Sequence, residues 1–478
     1  MNDFYCIGGH QDNRPRRLDL IQPRHSYAPP PESGEYGHVY LPTSLLSAAS
    51  RLIAAGADVT IHDENLRPAA VSSSTIGISL LGAPYIPVVQ RMQARFDREA
   101  GSPQYLMGGR VISGLSPSQF RSLFGDRAIN GNDDGQVSRA LRVPCLPAAE
   151  ETSLIPAYRQ ISDADMRAYL SGEISLYVSQ GCKYACDFCA ALRSTQDATT
   201  GEVRRIKETY RNPSVIQEDL IYLLRKAHTL GIPELRIYMT NLDAFQTPAE
   251  LGSFARAVNA AKQSEPRVGV KLRGLATVDS YLQIRRHHPR VLEDLADAGF
   301  WSVGFGIDGM TAQVWRKIHK GFLTEDNCIE TIRSVKRDYD WTPEILMVFG
   351  HHGADTHDTL QLAVDFAGDM AAKHGAIPRP HVSKAFIPGN NGWRESGYAD
   401  AVGRLIQYPD AFQALDFTAL PSPLTHRDAK LRDLTEEYFL RMCSLPGNTT
   451  IPVKPISPGM SDGELLAVRA FNQGRYDR

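Results

Sequence analysis

The chain has 478 residues, 42% of them hydrophobic and 22% charged, with 30 prolines and 38 glycines. That balance excludes a wholly disordered, collagen-like or coiled-coil protein. Its 52 basic residues against 54 acidic ones leave a net charge of −2, so overall charge draws it neither to nucleic acid nor to an anionic membrane.

The length exceeds one ordinary domain, so two or three are expected. No stretch approaches the roughly 20 apolar residues of a membrane helix. The opening MNDFYCIGGHQDN lacks a cationic-then-apolar pattern, so a cytoplasmic protein is expected. In chain order, RRLDLIQP reads as a strand and a Pro/Gly-rich loop follows it. Leu45, Leu46, Ala49, Leu52 and Ile53 then share one helical face that Gly56 ends. Strands ADVTIHD and TIGISLL, a helix from Ile86 to Arg98, strand QYLMGG, helix SPSQFRSLF and strand DRAIN complete an alternating series. Such alternation predicts a doubly wound parallel sheet over residues 1–132, a Rossmann-like α/β domain.

Residues 133–172 are polar, carry Pro144, Pro147 and Pro156, and read as a linker. A second series opens with EISLYVS. Helices capped by Asn212, Thr247 and Thr324 alternate with strands ELRIYM, VGVKL, SVGFGI and EILMVFG, and HVSKAFI is the last strand. About six β-α units over 173–388 are too few for an eight-unit barrel, so a partial (β/α)6 barrel is expected. Residues 389–478 are Pro- and Gly-rich with one or two helices, a C-terminal extension expected to close a substrate pocket, with Trp393 a candidate lid residue by position.

Three of the seven cysteines fall within eight residues. Cys182, Cys186 and Cys189, in SQGCKYACDFCAA, follow the first strand of the second series, at the edge where such folds place chemistry. Soft thiolates suit iron–sulfur or zinc, but a structural zinc wants a fourth ligand that no nearby C-x2-C or His pair supplies. The C-x3-C-x2-C spacing resembles that of the radical S-adenosylmethionine (SAM) superfamily. The resemblance implies a 4Fe-4S cluster on the three cysteines, with SAM on the open iron cleaved to a 5′-deoxyadenosyl radical. It places Phe188 beside the adenine, Asn241 near the SAM amino group, Arg273 on its carboxylate and Asp308 facing the ribose. VFGHHGADT and FIPGN resemble later family turns and identify no catalytic group; His351 and His352 read as loop residues. Cys443 reads as a structural thiol.

The front domain resembles the cobalamin-binding domain of cobalamin-dependent members of that superfamily. Asp63 and Asn65 stand at the D-x-H-x-x-G position, Ser79 opens S-x-L, and Gly108-Gly109 is the G-G pair. Asn65 replaces the histidine that would ligate cobalt, and Pro68 replaces the first glycine. The resemblance implies a cobalamin-dependent C-methyltransferase acting on an unactivated carbon of a small molecule, in natural-product (antibiotic) biosynthesis. An electron donor such as flavodoxin, ferredoxin or a dedicated reductase is expected, and neither nucleic acid nor membrane. A first alternative keeps the radical, drops cobalamin, and performs elimination, dehydration or rearrangement on a sugar or aminocyclitol. A non-catalytic cobalamin- or metal-sensing protein is a second, and RNA modification a third that the neutral charge weakens.

Overall fold

A computed structural model describes residues 17–25, 39–184, 186, 188–189, 194–196, 203–205, 208–390 and 392–476. Two parallel sheets organise them. The front sheet holds β1 (Arg17–Gln22), β2 (Asp58–Asp63), β3 (Thr75–Ser79), β4 (Gln104–Gly108) and β5 (Ala128–Asn130), in the order β2-β1-β3-β4-β5. Alternation along β1 separates its two faces. Leu18 and Leu20 pack in the core with Leu45, Leu46 and Ala49 of helix Thr43–Ala54. Ile21 belongs to a second core with Ile86 and Val89 of helix Ile86–Glu99. Helices therefore cover both faces, as the alternating sequence predicts.

The second sheet holds β6 (Glu173–Tyr177), β7 (Glu234–Thr240), β8 (Gly269–Ala276), β9 (Phe300–Gly306), β10 (Thr342–Phe349) and β11 (Ile377–Val382). Their order is β11-β10-β9-β8-β7-β6, with every neighbour parallel, the six strands of a partial barrel. Ile174, Leu176, Leu235, Ile237 and Met239 are buried in the core with the surrounding helices. On the alternate positions, Arg273 donates to both Glu173 oxygens at 2.9 and 2.7 Å and to Glu344 at 3.2 Å. Arg379 and Ser302 each reach Glu344 at 2.9 Å. Burial alone would raise the Glu344 carboxyl; the two guanidiniums and the Ser302 hydroxyl outweigh it and hold the pKa below its ordinary value.

Two expectations change. The 133–172 segment carries helices Asp134–Leu141, Ile155–Tyr158 and Asp163–Leu170, and its Leu154, Tyr158 and Tyr169 enter the main core. A fully buried Arg211–Asp219 pair ties it to the barrel: Asp219 accepts from the Leu154 N–H at 3.0 Å, and Arg211 donates to the Thr152 carbonyl at 3.0 Å. The last strand also begins earlier than HVSKAFI suggests, at Ile377, through Pro378 and Pro380. β11 is the sheet's edge, and prolines two residues apart both place their missing N–H on the unpaired side. The C-terminal extension forms helices Ala399–Gln407, Ala429–Cys443 and Asp462–Tyr476. Its Trp393, Phe412 and Leu415 share the second core with the front domain's Ile86 and Phe120, so it packs onto the front domain as well as over the barrel mouth.

Candidate functional site

The cysteine loop leaves the carboxyl end of β6. Its base is fastened where Ser179–Gln180 pairs antiparallel with Thr209–Tyr210. Gly181 adopts φ +91°, and a Cβ there would lie 2.8 Å from Glu208 Cα, so only glycine fits this turn without a shift. Cys186 is buried, Cys182 and Cys189 are half-buried, and the Cys189 N–H donates to the Cys186 carbonyl at 3.2 Å. Burial pushes the Cys182 thiol up to about 11, and Asp243, Cys189 and Cys186 push the same way. The three sulfurs therefore repel one another's negative charge, and as thiolates they need a bound cation. Among the described residues no group of three His, Cys, Asp or Glu side chains, the cysteine triplet included, stands close enough together to hold a metal ion.

The other strand ends converge here. Asp308, just past β9, sits at φ +57°, a conformation that is uncommon outside glycine. The Leu346 carbonyl holds its N–H at 3.1 Å, and its carboxylate pairs with Lys320, both side chains being 5% exposed. Lys320 Nζ also donates to the Gly306 carbonyl at 2.7 Å. Burial works against this ammonium, but Asp308, Cys186 and Cys189 outweigh it and raise its pKa. Lys320, which no motif singled out, thus brings positive charge beside two of the three sulfurs.

Phe188 lies against His351, ring centroids 5.4 Å apart, at the end of a cavity of about 540 Å³. Ile318 and His352 from the barrel, with Thr425 and His426 from the extension, line the rest. Three buried polar atoms at strand ends have no hydrogen-bond partner among the described residues: Ser179 Oγ after β6, Asn241 Oδ1 after β7 and His351 Nε2 after β10. Buried polar atoms are seldom left unsatisfied, and three in one rim fit a polar ligand such as SAM. Phe188, Asn241 and Asp308 therefore gather at the rim. Arg273 does not join them, because it lies deeper in the barrel and is engaged by Glu173 and Glu344.

In the front domain, Ser79 ends β3 opposite Gly108 on β4. Gly109 has φ +113°, and a Cβ would come 2.0 Å from the Leu80 carbonyl oxygen. Only glycine permits this close approach of the two backbones at the sheet's carboxyl edge. Asp63 and Asn65 follow the edge strand β2 instead. Asp63 accepts from Tyr169 Oη at 2.7 Å and from the Asn65 N–H at 2.8 Å, and Asn65 Oδ1 accepts the His25 N–H at 2.8 Å. Burial, offset in part by those bonds, raises the Asp63 carboxyl above its ordinary value.

The carboxyl edge of the front sheet lies against the barrel. Helix Arg110–Ser113, next to Gly109, touches strand Ser194–Gln196 beyond the cysteine loop. Gly114 packs on the backbone of Pro388 and Gly389, where a Cβ would lie 2.3 Å from the Gly389 nitrogen. The Asp416 carboxylate acts on His25 of the front domain and on His381 and Lys384 of the barrel. Burial pulls the Lys384 ammonium down to about 7, with Asp416 opposing it, and Nζ donates to the Ala419 carbonyl at 2.9 Å.

Residues 176–363 match the family model described as the radical SAM superfamily. No curated protein matches the chain. Among solved structures, the chain is similar to the radical SAM methyltransferase TsrM from Kitasatospora setae, solved with cobalamin and a 4Fe-4S cluster bound. The TM-score is 0.57 at 14% identity, over 82% of this chain and 79% of that one. It is also similar to OxsB, a cobalamin-dependent SAM radical enzyme solved with aqua-cobalamin. There the TM-score is 0.54 at 15% identity, over 74% of this chain, which spans about half of OxsB (52%). At these identities the likeness establishes a shared fold. No helix among the described residues is long and apolar enough to cross a membrane.

Proposed function

We propose that this chain, whose residues 176–363 match the radical SAM superfamily model, is a cobalamin-dependent C-methyltransferase acting on an unactivated carbon of a small molecule. The observation that carries the reading is the packing of the front sheet's carboxyl edge on the barrel: Gly114, five residues past Gly109, lies against the backbone of Pro388 and Gly389, and helix Arg110–Ser113 touches strand Ser194–Gln196 beyond the cysteine loop. An arrangement that only needed a radical would have no use for a second ligand edge aimed at the same space. The solved relatives with bound cobalamin support the same assignment.

When bound, the cluster and SAM supply a 5′-deoxyadenosyl radical, and cobalamin supplies a transferable methyl group. The chain's own task is to hold, orient and shield. Cys182, Cys186 and Cys189 hold the cluster. Lys320 offsets thiolate charge beside Cys186 and Cys189. Asn241 Oδ1 and Ser179 Oγ offer hydrogen-bond acceptors to the SAM amino group, and Asp308, whose Oδ2 is held by Lys320, is the residue proposed to face the ribose. Phe188 and His351 wall the adenine end. Ser79, Gly108 and Gly109 admit the corrinoid's tail at the front edge. The extension, through Thr425 and His426, lines one side of the cavity. An electron donor of the flavodoxin or ferredoxin kind completes the system, and specialised metabolism is the setting proposed.

The test is anaerobic reconstitution with iron, sulfide and hydroxocobalamin, followed by desalting and metal analysis. Four iron and one cobalt per chain are expected, with label from methyl-labelled SAM reaching the corrinoid. Four iron with no cobalt would refute the methyltransferase and leave radical elimination or rearrangement as the better account.

A further inference from the structure

Strand β7 ends at Thr240, and residues 241–247 lead from it to helix Pro248–Ser264. The fold mounts this loop firmly. Asp243, 1% exposed, accepts the Phe245 N–H at 3.1 Å and further bonds from Thr277 at 3.0 Å and Ser280 at 2.8 Å. Phe245 itself is buried in the main core. At the loop's end, Thr247 Oγ1 lies 2.6 Å from the hydroxyl of Tyr210, on the short strand that fastens the base of the cysteine loop. Gln246 stands between these anchors and reaches the cysteine loop. Its Oε1 accepts the N–H of Lys183, the residue after Cys182, at 3.2 Å. A backbone N–H can only donate, so the amide oxygen must face Lys183, and Nε2 takes the other side of the same planar group. That nitrogen is buried and has no hydrogen-bond partner among the described residues.

We propose that Gln246 is a positioning residue of the cysteine site: through Oε1 it braces the turn that carries Cys182, and from Nε2 it donates to a sulfur of the bound cluster, the Cys182 thiolate or an adjoining sulfide. The proposal rests on the reading of the triplet as a 4Fe-4S site. The three thiols stand too far apart to share one metal ion, whereas a four-iron cluster offers each thiolate an iron of its own. The next N–H along the turn, that of Tyr184, is bonded to Cys182, so the brace at Lys183 also fixes how this sulfur is presented. Buried donors are rarely left unpaired, and the atoms that a cluster adds beside this loop are sulfurs, which accept. A hydrogen bond to a cluster sulfur offsets negative charge and favours the reduced form, so it raises the reduction potential.

The experiment uses the full chain, reconstituted anaerobically with iron and sulfide and kept free of SAM and cobalamin. The cluster's midpoint potential is read by redox titration with electron paramagnetic resonance. Iron per chain and the rate of iron loss to a chelator are measured beside it. Gln246→Met keeps the side chain's length and removes both donor and acceptor. Gln246→Glu, at alkaline pH where it is ionised, restores the acceptor alone. Both variants should keep near four iron per chain and the circular dichroism of the unsubstituted protein, and both should titrate at a more negative potential. The Met variant should lose iron faster, and the Glu variant should return to the unsubstituted rate. Should the Met variant fail to hold iron, the Glu variant alone decides the donor role. An unchanged potential would overturn that role, and a fall in affinity for labelled SAM in its place would assign Nε2 to SAM. Iron loss in the Met variant as slow as in the unsubstituted protein would overturn the brace. An unsubstituted chain that takes up no iron would overturn the cluster reading itself.

Discussion

Removing one partner of the Lys320–Asp308 pair is the sharpest test of how the barrel rim is held. Both side chains are 5% exposed, and each depends on the other for charge compensation. Breaking such a pair from one side typically costs about 3–5 kcal/mol, because the remaining charge stays buried and unpaired. Lys320→Met retains volume but also loses the bond to the Gly306 carbonyl. It strands a carboxylate that is fixed at φ +57° by the Leu346 carbonyl and cannot readily turn to water. Asp308→Asn adds no backbone strain, since asparagine tolerates that conformation, so its cost isolates the charge. The double variant removes both charges and should be more stable than Lys320→Met alone. Urea unfolding of the apo protein, followed by far-UV circular dichroism, reads this as a shift in midpoint at unchanged slope. A double-mutant cycle then gives the coupling, expected above about 1.5 kcal/mol. Single variants that each cost under about 1 kcal/mol and add without coupling would refute a tightly compensated buried pair.

Gly109→Ala should impair the front domain alone: its Cβ would meet the Leu80 carbonyl oxygen at 2.0 Å in a left-handed conformation, and strain of about 1–3 kcal/mol is expected. Cobalt retention should fall while iron per chain stays unchanged; equal loss of both metals would contradict the division of labour. Cys186→Ala should abolish the visible absorption of the reconstituted cluster, and iron content near that of the unsubstituted chain would remove Cys186 from the ligand set. For Asp19, burial pushes the pKa up, but hydrogen bonds from His62 and from the Ser72 and Ser73 N–H groups outweigh it and hold the carboxyl at about 2. A folded pKa below the unfolded value stabilises above the unfolded pKa of about 4, and that contribution disappears as pH falls from 4 toward 2. Asp19→Asn should therefore lose on the order of 2 kcal/mol near pH 7 and show a flatter unfolding midpoint between pH 4 and 2.

Much of the architecture was legible in the sequence because the period of the apolar residues and the caps agree. Asn212, Thr247 and Thr324 each stand at the helix start that the sequence suggests; Asn212 and Thr324 accept the expected N–H bonds, and the Thr247 side chain makes none. The segment 133–172 was harder to read. Its helices are short, and much of its stabilisation is long-range: Asp219, some 65 residues downstream, accepts the Leu154 N–H. The start of β11 was masked by Pro378 and Pro380, which suit an edge strand but look like loop residues in a linear reading. Residues of the cysteine motif announce themselves by spacing alone. Lys320 does not, since its role comes from a turn that brings it back under β9 to the Gly306 carbonyl, a contact across 14 positions.

The same distinction applies to the loops at the carboxyl edge of the front sheet. Asp63 and Asn65 are conspicuous in the sequence because they are polar and follow a strand. Their place in the sheet is set by strand order. β2 is the edge of the sheet, whereas β1 and β3 border its switch point, and only the paired register of Leu20 with Ile61 on one side and Gly77 on the other reveals this. Once the order is known, Asn65 becomes intelligible as the brace of the loop after β1, through its bonds to the His25 N–H and the Pro23 carbonyl. A consequence follows for Asn65→Ala. It removes the acceptor of the His25 N–H and the donor to the Pro23 carbonyl, and a loss of about 1–2 kcal/mol in urea unfolding is expected, read as a lower midpoint at unchanged slope. An unchanged midpoint would refute the bracing role, because two bonds between loops 40 positions apart would then contribute nothing to the fold.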